Sequence, residues 1–233
     1  MSFEAALAAA DGIEGWLTRE QARRLFDRAS FAHRIVEIGS YRGRSAIVLA
    51  HAAGREAELI AIDPHAGNDR GPRHIEGDAA EGESDFQAFC GNLERAGVSE
   101  RVRHLRLSSN QALEQIAGEL DLVYVDGAHR YAFARDDLAG WGARVRQGGH
   151  MLVHDSFSSV GVTLAILRLL VPGREFRYLG RTGSLAEFER RRLSGRGRFA
   201  NAGRQLAELP WFARNLGVKL ALVLGLRSGP WPY

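Results

Sequence analysis

Short apolar runs alternate with amphipathic segments along the first 190 residues of the chain. The runs are close to continuously apolar, which is typical of strands buried on both faces of a parallel sheet. Between them, apolar residues recur every three or four positions, which predicts helices. The predicted strands are 34–40, 57–65, 101–107, 120–126 and 150–155, and the predicted helices are 17–30, 44–53, 86–98, 110–118, 131–145 and 160–171.

Strands that alternate with helices indicate an α/β fold, in which helices cover both faces of the sheet. The segments "EFRYLG" and "GSLAEFER" predict a hairpin that closes this domain at about residue 190. Residues 66–85 contain four glycines and many charges, so we expect a mobile loop there. Ligands of parallel α/β sheets bind where the strands end. Polar residues at those positions are therefore the candidates for function.

Length and composition favour an ordinary globular protein. The 233 residues are 45% hydrophobic and 25% charged, which fits one large domain or one domain with an appendage. Cys90 is the one cysteine, so no internal disulfide is expected and a reducing compartment is indicated. The first residues lack the basic region of a secretory signal, and no apolar run has the length of a membrane span. We therefore expect a cytoplasmic protein.

The positive charge is concentrated at the C-terminus. Residues 191–233 contain seven arginines and Lys219 against the single Glu208, whereas the whole chain has a net charge of +3. This segment is interpreted as a basic amphipathic extension that follows a main domain at 1–190. Packing on that domain or dimerisation is favoured, so a homo-oligomer is expected. Peripheral contact with an anionic membrane and an acceptor-binding arm are the alternatives. No nucleic-acid-binding module is recognisable, so no nucleic-acid partner is expected.

Two glycines follow the first predicted strand, in the stretch "VEIGSYRGRS". Glu37, Gly39 and Gly43 have the spacing E-x-G-x-x-x-G, which differs from the G-x-G-x-x-G of dinucleotide-binding enzymes. Glycines there let the backbone approach a ligand, and the next helix N-terminus favours an anionic group. Asp63 ends the second strand, where a carboxylate accepts both hydroxyls of a ribose. Together these residues predict an adenosine-type ligand.

The stretches "VEIGSYRGRSA", "IAIDPH", "VYVDGAHRY" and "GGHMLVHDS" resemble successive motifs of class I S-adenosylmethionine-dependent methyltransferases. More narrowly, they resemble the small-molecule O-methyltransferases that include macrocin and mycinamicin sugar methyltransferases and cephalosporin hydroxylase-like proteins. The resemblance extends from about residue 14 to residue 190. It implies a Rossmann-like, mostly parallel sheet of seven strands in the order 3-2-1-4-5-7-6.

The resemblance also implies S-adenosylmethionine as cofactor. The methyl donor would lie over the turn after the first strand, with its ribose on Asp63, and Ser109 matches the residue near the adenine. The cofactor-binding residues that it implies are Glu37, Gly39, Ser40, Tyr41, Gly43, Ser45, Asp63, Ser109 and Asp126.

Asp126 and Asp155 end strands that are neighbours in this order, so their carboxylates are expected to converge. Two carboxylates together with water and substrate hydroxyls suit Mg²⁺. Ser156 stands where metal-dependent relatives usually have Asp or Asn, and it is the third candidate ligand, although a hydroxyl is a poorer one. His129 is the candidate general base for an acceptor hydroxyl. His154 precedes Asp155, and strand alternation predicts that its side chain points away from that carboxylate.

The expected function is therefore transfer of a methyl group from S-adenosylmethionine to a hydroxyl, with Mg²⁺ as the second expected cofactor. The expected acceptor is a small molecule, namely a sugar, a glycoside or a related natural product. Two alternatives remain open. One is a nicotinamide-dependent oxidoreductase on a Rossmann sheet, and the other is a non-catalytic protein that keeps this fold for binding.

Overall fold

The computed structural model describes residues 1–67 and 78–226. The strands are β1 (Arg34–Ile38), β2 (Glu58–Ile62), β3 (Val102–Leu105), β4 (Leu120–Val125), β5 (Val145–Val153), β6 (Phe176–Thr182) and β7 (Leu185–Arg190). The α-helices are α1 (Phe3–Ala9), α2 (Arg19–Ala29), α3 (Arg44–Ala52), α4 (Ala79–Arg95), α5 (Ser109–Gln115), α6 (Tyr131–Gly140), α7 (Val160–Leu169), α8 (Gly195–Leu206) and α9 (Leu209–Val223).

The strands form a seven-stranded sheet in the order β3-β2-β1-β4-β5-β7-β6, which confirms the predicted topology. β3, β2, β1, β4 and β5 are parallel to their neighbours. β7 pairs antiparallel with both β5 and β6, so the C-terminal pair is a hairpin as predicted. The order places β1 and β4 side by side at the centre, where the direction of chain winding reverses.

Helices cover both faces of the sheet, and this explains the continuous apolar runs. Along β4, Leu122 and Tyr124 pack into the core on one face, whereas Val123 and Val125 pack into the core on the other. Successive strand side chains point to opposite faces. Most residues of a central strand are therefore apolar when both faces are covered, and the buried Glu37 of β1 is an exception.

The structure corrects the loop predicted at residues 66–85. α4 begins at Ala79, and the Asp78 side chain caps it by accepting a hydrogen bond from the Ala80 N–H at 2.8 Å. Gly82 lies inside this helix, and a Cβ atom there would lie 2.1 Å from the His65 carbonyl oxygen. The glycine therefore serves close packing and does not mark a loop. Residues 68–77 of that prediction lie outside the described residues.

The C-terminal extension packs on the edge of the sheet. β6 is an edge strand. The Asn201 side chain of α8 forms hydrogen bonds to its backbone, as a neighbouring strand would. Its Oδ1 accepts the Tyr178 N–H at 2.7 Å, and its Nδ2 donates to the Phe176 carbonyl at 3.1 Å. Arg181 of β6 pairs with Glu208 at 2.7 Å. Among the described residues, no helix combines the length and apolar character needed to cross a lipid bilayer.

Replacing Asn201 by alanine tests whether the extension is part of the folded domain. Asn201 is buried, so its loss leaves a backbone N–H and a carbonyl of β6 without partners. We expect the Asn201→Ala variant to lose about 2 kcal/mol of unfolding free energy in urea denaturation. The exposed Asn110→Ala variant is the control and should unfold like the wild type. An unchanged midpoint for both would mean that α8 adds nothing to the stability of the sheet.

Candidate active site

A cavity of about 320 Å³ opens at the carboxyl ends of β1, β2 and β4. This is the crevice where α/β sheets bind ligands. Of the residues predicted to bind a cofactor, the cavity is lined by Gly39, Tyr41, Asp63, Ser109 and Asp126. Residues from four separate segments of sequence thus meet at one site.

Gly39 allows the ends of β1 and β4 to meet. Its φ is +85°, and a Cβ atom there would lie 2.2 Å from the Asp126 carbonyl oxygen. The Gly39 N–H donates to the Ile62 carbonyl at 2.8 Å, and the Asp126 N–H donates to the Ile38 carbonyl at 2.8 Å. A side chain at position 39 would separate these strand ends, so glycine is required here.

Asp63 organises the two turns that border the cavity. Its Oδ2 accepts the Tyr41 N–H and its Oδ1 accepts the His65 N–H, both at 2.8 Å. Tyr41 and His65 both have a φ of +45°, in the left-handed region that non-glycine residues rarely adopt. A carboxylate has about four acceptor positions, so Asp63 retains capacity for ligand hydroxyls after accepting these two bonds.

Glu37 is wholly buried behind the glycine turn. Burial raises the pKa of its carboxyl group to about 7, and the hydroxyls of Ser45 and Ser40 offset only part of the rise. Gly43 is the N-cap residue of α3, with a φ of +87°. Four of the predicted cofactor-binding residues lie around the turn after β1 and do not line the cavity. They are Glu37, Ser40, Gly43 and Ser45.

Ser109 belongs to a series of hydrogen-bonded side chains at another wall of the cavity. The Trp141 indole N–H donates to the Ser109 hydroxyl oxygen at 2.7 Å, and that hydroxyl contacts Asp137. Burial raises the pKa of Asp137 to about 6, and the Ser109 hydroxyl acts in the opposite direction. Trp141 thus fixes the hydroxyl that the sequence predicts near an adenine.

Asp126, His154 and Asp155 form a cluster beside the cavity. One possible ligand atom from each residue lies within 4.8 Å of the others. His154 Nδ1 is 3.2 Å from Asp126 Oδ1 and 3.6 Å from Asp155 Oδ2. Burial by itself lowers the pKa of His154, but the carboxylates of Asp126 and Asp155 outweigh it and raise the pKa to about 10.

The prediction that His154 points away from Asp155 was wrong. β5 ends at Val153, and Asp155 has a φ of +55°, so the alternation of side chains stops before this pair. The turn brings both side chains to the same side. The dense polar run "HDSFSS" after a buried strand is the sequence signal that could have suggested this.

His129 approaches the cluster from the loop after β4. Its Nε2 contacts Asp155 Oδ2, so its partner is the acid of the neighbouring strand. Burial raises the pKa of Asp155, but His129 and His154 outweigh that effect and hold it well below its usual value. Tyr124 donates its hydroxyl hydrogen to Asp126 Oδ2 at 2.9 Å. The imidazole and both acids are therefore all fixed by protein contacts.

Ser156 does not join the cluster through its hydroxyl. The Ser156 Oγ donates to the Val153 carbonyl at 2.9 Å, and its N–H donates to the Ser184 carbonyl at 2.9 Å. The side chain is wholly buried. Its bonds tie the turn to β5 and to the hairpin, and His154 is the third donor near the two acids.

Comparisons with known proteins identify what this chain is similar to. The sequence profile of a family described as "Methyltransferase domain" matches residues 36–156, just over half of the chain. A protein of Mycobacterium tuberculosis named catechol O-methyltransferase is 29% identical over 170 residues, which is 70% of this chain and 68% of that protein.

Solved structures share the fold. The O-methyltransferase TomG of Streptomyces achromogenes, involved in tomaymycin synthesis and solved with S-adenosylmethionine (SAM), aligns with a TM-score of 0.58 and 20% identity. That alignment covers 82% of this chain and 91% of TomG. An O-methyltransferase of Bacillus cereus, solved with SAH, aligns with a TM-score of 0.57 and 17% identity, covering 81% of this chain and 89% of the other.

Proposed function

Because this chain belongs to the methyltransferase domain family, we propose that it transfers the methyl group of S-adenosylmethionine to a hydroxyl oxygen of a small molecule. The main support for the proposal is that Asp126 belongs to two parts of the site. This residue lines the cavity and is also part of the acid–histidine cluster. A cofactor in the cavity and an acceptor at the cluster would thus be direct neighbours.

We assign the cavity to the cofactor. The free acceptor positions of Asp63 suit the two ribose hydroxyls, and Ser109 suits the adenine end. Gly39 and Tyr41 give the turn over which the rest of the cofactor would pass. Glu37 is assigned a supporting role, because it is buried beneath Ser40 and Ser45 and does not line the cavity.

The cluster also fits a divalent cation. Two carboxylates and one imidazole within 4.8 Å are a suitable donor set once His154 is neutral. The carboxylates favour Mg²⁺ or Mn²⁺, whereas the imidazole suits Fe²⁺ or Zn²⁺ better. We therefore assign the candidate ligands as Asp126, Asp155 and His154, with His154 in place of the earlier candidate Ser156. A bound cation would lower the pKa of a coordinated acceptor hydroxyl.

His129 is the proposed general base. The acceptor O–H bond breaks, its proton moves to the imidazole, and the oxygen forms a bond to the methyl carbon as the carbon–sulfur bond breaks. The products are a methyl ether and neutral S-adenosylhomocysteine. Asp155 contacts His129 and would orient the ring and stabilise its positive charge. Alignment of the two substrates supplies much of the acceleration in such a transfer.

The proposed acceptor carries two adjacent hydroxyls. Sugars and glycosides have this feature, and so do catechols, which one relative's name indicates as its substrate. Two neighbouring oxygens can share one cation while one of them reacts. A nicotinamide-dependent oxidoreductase and a binding protein without catalysis are both disfavoured by the family membership. The homo-oligomer, the membrane contact of the extension and the cytoplasmic location stay predictions.

The test is titration of the purified protein with S-adenosylhomocysteine, followed by a methyl-transfer assay with radiolabelled cofactor. We expect micromolar binding to the wild type and much weaker binding to the Asp63→Ala variant. Transfer should occur to sugars or catechols with adjacent hydroxyls and not to their singly hydroxylated analogues. Absence of binding to the wild type would overturn the methyltransferase proposal itself. Binding with transfer only to nitrogen acceptors would overturn the assignment of the acceptor.

Removing divalent cations tests the metal assignment. After treatment with a chelator, we expect methyl transfer to fall at least about tenfold and to recover with Mg²⁺ or Mn²⁺. Binding of S-adenosylhomocysteine should not change, because the cation would lie at the cluster and the cofactor in the cavity. Turnover that is insensitive to chelation would show that the cluster works without a metal.

A further inference from the structure

The turn after β5 has an unusual backbone. Asp155 and Phe157 both have a φ of +55°, in the left-handed region, although neither is glycine. Such residues persist only where the surrounding structure holds them in place. Within the turn, the N–H groups of Ser158 and Ser159 both donate to the Asp155 carbonyl, at 3.2 and 2.9 Å. The carboxylate that contacts His129 is therefore carried on a strained turn.

Helix α9 supplies two further donors to this turn. Asn215 Nδ2 donates to the Phe157 carbonyl at 3.3 Å. One helical turn later, Lys219 Nζ donates to the Ser158 carbonyl at 2.9 Å and to the Ser158 hydroxyl oxygen at 3.3 Å. Residues four apart lie on the same face of a helix, so α9 holds two consecutive carbonyls of the turn.

Both donor side chains, Asn215 and Lys219, are at least partly removed from water. Asn215 is wholly buried, although most of the α9 residues around it are partly exposed. Burial lowers the pKa of Lys219, and the nearby Asp155 carboxylate acts in the opposite direction. An amide and an ammonium group are removed from water only where good acceptors replace it. The two polar side chains are therefore more than solubilising groups of the extension.

We propose that Asn215 and Lys219 are positioning residues, which hold the turn after β5 so that Asp155 orients His129 for methyl transfer. The inference rests on the proposed function for its catalytic part. α9 lies outside residues 36–156, the part of the chain that matches the family profile. The C-terminal extension thus completes a site whose chemical groups all come from the family domain.

We expect α9 to remain docked when the two contacts are removed. Trp211 and Phe212 of α9 pack against the hydrophobic core independently of them. The test uses the full chain with three variants: Asn215→Leu, Lys219→Met and the conservative Lys219→Arg. Arg214→Met is the matched control, because Arg214 lies on the same helix and is exposed. Amide hydrogen exchange, binding of S-adenosylhomocysteine, and kcat and KM for the acceptor are measured for each.

We expect Asn215→Leu and Lys219→Met to increase exchange about tenfold in the 154–162 segment, with β1 and β2 unchanged. Their kcat should fall about 10- to 100-fold, while KM and the affinity for S-adenosylhomocysteine stay within about twofold. Lys219→Arg should recover most of the turnover, and Arg214→Met should match the wild type.

Unchanged exchange in both variants would overturn the proposal, and so would increased exchange with unchanged kcat. A general loss of exchange protection would show that α9 supports the whole fold and not the turn. If the wild type binds S-adenosylhomocysteine but methylates no acceptor, the proposed function fails. In that case the exchange data still decide whether α9 holds the turn.

Discussion

Replacing His129 by glutamine is expected to lower methyl-transfer turnover by about 10²- to 10⁴-fold, the usual contribution of a positioned acid–base group. Glutamine preserves much of the volume of the side chain and can still bond to Asp155, but it cannot accept the acceptor's proton. The imidazole lies beside the cluster and does not line the cavity. Affinity for S-adenosylhomocysteine should therefore remain within about twofold of the wild type, as measured by calorimetric titration.

His33→Gln is the matched control, because His33 is exposed and lies at the opposite, amino end of β1. It should leave both turnover and cofactor affinity unchanged. Wild-type turnover in the His129→Gln variant would contradict the assignment of the base. Loss of turnover together with loss of cofactor binding would instead indicate that the loop after β4 shapes the cavity.

The largest loss of stability is expected at Glu187, far from the acid cluster in sequence. Glu187 is a wholly buried carboxylate on β7. Arg24 and Arg28 of α2 contact its two oxygens at 2.6 and 2.5 Å, and His150 Nδ1 lies 2.8 Å from Oε1. The Glu187→Gln substitution leaves the Arg24 and Arg28 guanidinium groups without their counter-charge. We expect a loss of about 3 kcal/mol in urea denaturation at neutral pH.

Asp27→Asn is the control on the same helix. The Arg23–Asp27 pair is exposed and joins residues four apart, so its loss should hardly move the unfolding midpoint. Equal effects of the two substitutions would mean that burial does not strengthen the Glu187 cluster.

The Glu187 contribution should also depend on pH. Burial acts to raise the pKa of this carboxyl, but His150 and Arg24 outweigh it and lower the pKa from 4.5 to about 2. A carboxyl whose pKa is lower in the folded state stabilises the protein fully above its unfolded pKa. That stabilisation is lost as the pH falls from about 4.5 through about 2. The difference in unfolding free energy between wild type and Glu187→Gln should therefore shrink over this acidic range.

Much of the architecture could be predicted from sequence because it depends on local patterns. Nearly continuous apolar runs identified the central strands, since a strand that is buried on both faces has few polar positions. Gly39 and Gly43 marked the turn after β1, where positive φ angles are observed. Asp126 and Asp155 were expected to converge because parallel strands end at the same edge of the sheet. The sheet order itself came from the family resemblance, since periodicity does not say which strands are neighbours.

The partners of individual side chains could not be predicted in this way. Gly82 suggested a loop, but it lies in a helix, where a glycine is needed because the His65 carbonyl occupies the space of a Cβ atom. His154 was assigned to the wrong side because the strand ends two residues before Asp155, at a turn whose φ angle the local sequence does not reveal. The contact between His129 and Asp155 joins two loops that are 26 positions apart.

The sequence by itself determined the fold class, the location of the site at the strand ends and the chemical groups available there. These follow from periodicity and from residue type, which are local properties of the chain. Only the tertiary structure decided that His154 is the third donor of the cluster, that Asp155 holds His129, and that Asn215 and Lys219 reach the turn after β5. Those contacts join segments far apart in sequence, and they form only when packing of the core brings the segments together.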